Sequence, residues 1–112
     1  MSFDLNLYRN NSKHSFKQIE LKPILDKKFP DSFIDLVDGQ VQKFTINRNS
    51  QHQISFEFQP EYGCFRTFLK FGSSQPVIDH FINTVRRVAL ALDMKIQDPQ
   101  ADNKLIEPAD FL

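Results

Sequence analysis

Few residues in this chain are of a type that does chemistry, and they are thinly spread. There are three histidines, His14, His52 and His80, and one cysteine, Cys64. Two histidines grip a metal readily when they stand four apart on one helix face, and no pair here has that spacing. Each is therefore read as a solvated or structural residue. Cys64 follows Gly63 at the start of a strand-like run. A nucleophilic thiol needs a base beside it and a positive setting; the sequence places neither, so Cys64 is read as a small packed residue. One cysteine alone makes no internal disulfide and no cysteine-built metal site.

Charged residues give no better start. Asp31, Asp35 and Asp38 crowd the segment DSFIDLVDG. They lack the alternating acid-and-amide pattern of a calcium loop, which makes them solvated acids rather than cation ligands. Arg86 and Arg87 with Lys95 could meet a phosphate, but they stand far from the helix N-terminus whose N–H groups would help. With only Gly39, Gly63 and Gly72 in the chain, there is no phosphate-cradling glycine loop. The expectation is a protein without catalytic residues, cofactor or metal.

The elements that must position these residues are clearer than the residues themselves. Between 74 and 93, SQPVIDHFINTVRRVALALD reads as one long amphipathic helix. At about 100° per residue, Val77, Val88, Phe81, Leu92, Val85, Ile78, Ala89 and Ile82 share an arc of about 140°. Asp79, His80, Asn83, Arg86 and Arg87 lie opposite. Ser74 suits the cap and Pro76 the first turn, where a missing N–H costs nothing. Such a stripe needs an apolar surface to cover, and the Phe-rich segments upstream supply it.

From the start, Phe3, Leu5 and Leu7 alternate with Asp4, Asn6 and Tyr8 as a half-buried strand, followed by the polar loop RNNSKH. Residues 15–20 are open to two readings, a helix start through the Ser15 and Gln18 capping spacing or a short strand, because Pro23 disturbs a helix that begins so early. From Leu21 onward a helix is predicted, with Leu21, Ile24, Leu25 and Phe29 on one side and Pro30 as its stop. The 31–39 segment reads as an ordered connection with a helical turn. Three strands follow over 41–48, 52–59 and 64–71. They carry Phe44 and Ile46, then Ile54, Phe56 and Phe58, then Phe65, Thr67, Leu69 and Phe71. Turns this short make antiparallel neighbours. Met94–Gln97 can form a last short strand. The predicted fold is α+β, in the order β-α-β-β-β-α, an antiparallel meander with helices on one face. Residues 1–98 are expected to form one domain and 99–112 an acidic C-terminal tail.

Composition removes several functions. Fourteen basic and fourteen acidic residues cancel, where a nucleic-acid binder normally shows a basic excess. The charge is uneven: residues 1–30 hold six bases against three acids, and residues 31–60 two against four, so local patches remain. Twelve phenylalanines with no tryptophan suit a buried sheet–helix interface better than a stacking surface for sugars or bases. No apolar run approaches a membrane span, and MSFDLNLYR has no signal-peptide pattern. A soluble protein of a reducing compartment is expected, with neither membrane nor nucleic acid as partner.

Two short stretches add a resemblance. The start MSFDLNLYR and the helix end LALDMKIQDPQ are similar to the ends of small bacterial immunity proteins, of the kind found in polymorphic-toxin and contact-dependent growth-inhibition systems. The resemblance covers about twenty residues at the two termini. It implies a cytoplasmic, non-enzymatic inhibitor whose partner is a cognate toxin domain, blocked by shape and charge. Immunity proteins aimed at nucleases are often acidic, and the zero net charge here departs from that pattern. Two other classes stand beside it. A protein-binding module or secretion chaperone would be marked by a stable homodimer. A double-stranded-RNA binder needs a basic cluster near the start of its last helix, where this chain has Ser74, Gln75, Pro76 and Asp79. The residues expected to meet a protein partner are Asp31, Asp35, Asp38, Glu57 and Glu61, because a toxin that handles phosphates presents a basic cleft.

Overall fold

The chain's structure is a computed structural model that describes residues 2–9, 18–48, 50, 52–70, 72–100 and 104–111. His14, the RNNSKH loop beyond Arg9, the Ser15 capping pattern and Phe71 lie outside the described residues. Along the chain come β1 (Ser2–Arg9), α1 (Gln18–Lys28), β2 (Phe33–Val37), β3 (Gln40–Ile46), β4 (Ile54–Gln59) and β5 (Cys64–Lys70). There follow α2 (Gln75–Ala91), β6 (Met94–Gln97), β7 (Leu105–Ile106) and a closing 3-10 helix (Pro108–Asp110).

The strands make one sheet in the order β2-β3-β4-β5-β1-β6-β7, antiparallel throughout. This is the α+β class expected, with β2 to β5 as a meander. β1 is the pivot. It pairs with β5 on one side and β6 on the other, so the first strand of the chain becomes an inner strand of the sheet.

Period-two alternation puts Leu5 and Leu7, Phe44 and Ile46, Ile54 and Phe56, Phe65, and Met94 and Ile96 on a single face. All are buried, in one cluster with Leu21, Leu25 and Phe29 of α1 and its end and with Phe81, Val85, Val88 and Ala89 of α2. Phenylalanines form its centre. Phe44 stacks on its cross-strand neighbour Phe56 at 4.7 Å, and Phe65 meets Phe44 edge-on at 4.9 Å. Each such pair adds about 0.5–1.5 kcal/mol beyond the area it buries.

Four local expectations are revised. The 31–39 segment is not a connection with a helical turn; its middle is β2, paired with β3. Asp38 and Gly39 have φ of 52° and 78°, the double left-handed geometry of a type I′ hairpin turn, which matches the twist of two antiparallel strands. The Asp-Gly pair between apolar runs was the signal for it. α1 begins at Gln18, so Pro23 lies inside the helix rather than in its first turn; it is exposed, which keeps its ring out of the packed side. Ser74 holds the N-cap position of α2 without a side-chain cap bond. Its carbonyl accepts the Ile78 N–H at 3.0 Å instead. The region beyond Pro99 contributes β7, and Pro108 and Phe111 are buried, the latter in the main cluster.

Candidate functional site

The sheet face away from this cluster carries the polar residues of the same strands. Register places six of them in one row across the sheet: Asp35 opposite Lys43, Lys43 opposite Glu57, Glu57 opposite Arg66, Arg66 opposite Asn6, and Asn6 opposite Gln97. Charges alternate along the first four. Lys43 Nζ is 3.8 Å from Asp35 Oδ2. Arg66 donates through Nε to Asn6 Oδ1 at 2.8 Å, and Asn6 donates through Nδ2 to Gln97 Oε1 at 3.1 Å. Asn6 is only 3% exposed, so both halves of its amide need partners, and both have them.

The row ends in a groove. Asp35, Leu36, Gln42, Lys43, Glu57 and Phe58 line a depression of about 380 Å³. It forms where β3 carries one extra residue: pairing passes from Asp35–Lys43 to Leu36–Val41, leaving Gln42 over as a bulge. Asp38 in the β2–β3 turn and Glu61 in the β4–β5 turn project from the same end of the sheet, since β3 begins where β4 ends. Among the described residues Asp38, Glu57 and Glu61 make no ion pair. Four of the five acids expected to meet a partner are thus gathered at one end. Asp31 is not with them. It sits at the far end of β2, where its backbone carbonyl accepts the Arg48 N–H at 2.9 Å.

A neighbouring row on this face holds Gln59, Cys64, Tyr8 and Lys95. Burial, more than the nearby Cys64 or the hydrogen bond to it, pushes the Tyr8 phenol up to about 12. Burial likewise pushes the Cys64 thiol up, against the smaller opposing pull of Tyr8 and Arg66. Cys64 has no exposed surface. A nucleophile needs an exposed thiol of lowered pKa, so its setting is the reverse of a reactive one. Lys95 reaches Glu107 at 3.4 Å on this side of the sheet. Arg87 is over the Phe29 ring, 5.1 Å from its centre, so the three bases of 86–95 form no joint phosphate site.

One pairing was hidden from sequence spacing. His52 and His80 come from the β3–β4 connection and from α2, and their rings are 4.9 Å apart. Asn47 Nδ2 stands 3.4 Å from His80 Nε2. Among the described residues there is no cluster of three or more His, Cys, Asp or Glu able to hold a metal ion. A second groove, of about 490 Å³, lies between the helices, lined by Lys28, Phe29, Arg87, Leu90 and Ala91. Arg66 and Lys43, the bases that punctuate the polar row, are not among the sequence candidates, although the alternation Phe65, Thr67, Leu69 leaves Arg66 for the other face.

No protein-family model matches the chain, and no curated protein or solved structure matches it either. What the geometry defines is a class: an antiparallel α+β domain with one sheet face given to its core and a polar, grooved face opposite. No described helix is long and apolar enough to cross a membrane.

Proposed function

We propose that this chain is a non-enzymatic inhibitor that binds one folded partner with the acidic end of its polar sheet face. The observation that carries the reading is the gathering of Asp35, Asp38, Glu57 and Glu61 at one end of the sheet, where Asp35 and Glu57 line a groove. Carboxylates held on a rigid sheet steer a basic surface into register and raise the rate of encounter. The resemblance of the two termini to immunity proteins supplies the partner: a bacterial toxin domain with a basic cleft, met in the cytoplasm, where the inhibitor covers the cleft. Lys43 and Arg66 fit this role as well. Lys43 stands between Asp35 and Glu57, and Arg66 on the far side of Glu57, so the face offers a partner charges of both signs in a fixed order.

One feature favours the second reading, a binding module or secretion chaperone for an unfolded segment. It is the edge strand β2, whose Phe33, Leu36 and Val37 are exposed. A chaperone of that kind would be a stable homodimer, which sedimentation distinguishes from a monomer.

The test is association kinetics with a candidate toxin domain, sought first in the genes that flank this one. Asp35, Glu57 and Glu61 are changed to Lys, and Asp38 to Asn, because Asn tolerates the left-handed backbone there. The quadruple variant should associate about tenfold more slowly and lose most of its salt dependence. Unchanged rate and affinity would overturn the acidic-face reading.

A further inference from the structure

We propose that the outer edge of β2 takes up an extended, basic segment of a partner protein by backbone pairing. The inference rests on the reading of the chain as a protein binder, and it names the backbone edge of β2, whose Asp35 and Leu36 also line the acidic groove.

β2 ends the sheet, and among the described residues no strand pairs with its outer side. A strand in that position presents a row of N–H and C=O groups that another chain can complete. Of the seven large apolar residues exposed on the described surface, three lie on this five-residue strand: Phe33 at 39%, Leu36 at 40% and Val37 at 50%. A strand that only ended the sheet would be expected to hide such residues or replace them with charge. Its sequence from 31 to 39 contains three aspartates and no base.

Register decides the occupant. Two copies of β2 paired antiparallel about their midpoint set Asp35 directly against Asp35, with Phe33 against Val37. Like charges placed opposite one another on a sheet are unfavourable, and sliding by two residues discards much of so short a strand. The same Asp35 favours a different chain with Lys or Arg at the opposing position. Phe33 shares that face, so the partner strand carries an apolar residue two positions from its base. Arg48 lies over the Phe33 ring, its guanidinium carbon 4.0 Å from the ring centre.

The experiment uses the whole chain and short capped peptides that alternate valine with lysine or valine with glutamate. Amide hydrogen exchange is read by NMR. At roughly ten times its dissociation constant, the lysine peptide should slow exchange of the outward amides of β2 about tenfold, leaving β5 unchanged. The glutamate peptide should not, nor should a lysine peptide N-methylated at alternate amides. In Asp35→Lys, whose fold is checked by circular dichroism, the preference should reverse. No slowing by the lysine peptide, or equal slowing by both peptides, overturns the proposal. So does protection of β2 that grows with protein concentration alone, which would make a second copy the occupant. Because no toxin is present, failure here leaves the charge-reversal test of the acidic face untouched.

Discussion

Cys64 and Tyr8 face each other across β1 and β5, and the fold keeps both in their protonated forms. The consequence for stability has a definite sign. A phenol at about 12 in the folded chain against an ordinary 10.0 binds more protons when folded than when unfolded between those limits. Its contribution to stability is complete below pH 10 and is lost as pH rises toward the folded value. Cys64 acts in the same direction from its ordinary 9.0 upward. Urea midpoints should therefore fall more steeply with alkaline pH for the wild type than for Tyr8→Phe. Parallel slopes would show that the phenol is not held neutral by folding. Thr67 offers a second test. It is wholly buried on the core face, and among the described residues its hydroxyl has no partner. Thr67→Val keeps the shape and removes the stranded polar atom, so stability should rise by about 1 kcal/mol; a loss in urea unfolding would mean that the hydroxyl has a partner. At this scale the sequence was a partial guide. Alternation puts Phe65, Thr67 and Leu69 on one face and so leaves Arg66 for the other, whereas Asp35 reads as part of a connection. The His52–His80 contact depends on which strand connection meets α2, and spacing along the chain carries no such information.

Among the elements, α2 was the most legible because one apolar stripe, a first-turn proline and its length all agree. Phe81, Val85, Val88 and Ala89 are buried as the stripe requires, and the polar Thr84 is buried beside them. Phe81→Ala should cost roughly 3–5 kcal/mol, and Val85→Asp should prevent stable folding; a melting temperature unmoved by both would reject this helix face. β2 was legible only through its turn. Three aspartates in nine residues suggest a loop, whereas Asp38-Gly39 between FIDLV and a strand specifies a hairpin, and the turn geometry prevails over composition. The role of the turn predicts that Asp38→Val, a branched residue at positive φ, destabilises the chain, while Asp38→Asn leaves the thermal midpoint nearly unchanged.

At the scale of the molecule, the order of the sheet rather than its class was what the sequence withheld. Local alternation cannot tell that β1 lies between β5 and β6, because non-local pairings are chosen by the joint packing of the whole core. The same holds for the last residues. An acidic, proline-containing segment reads as a tail, yet Phe111 is 8% exposed and shares the cluster of Phe81 and Val88. Phe111→Ala should lower unfolding stability by about 3 kcal/mol, where a loose tail would tolerate it in the same urea titration. The core uses one face of the sheet, so the proposed recognition is assigned to the other, whose acids Asp38 and Glu61 stand at one end. The most direct measurement is an amide-exchange footprint of this chain bound to the toxin-like partner proposed above. Slowed exchange concentrated at 35–38 and 57–61 is the predicted result. A footprint on the groove between the helices, around Lys28, Arg87 and Leu90, with the polar sheet face unchanged, would contradict it.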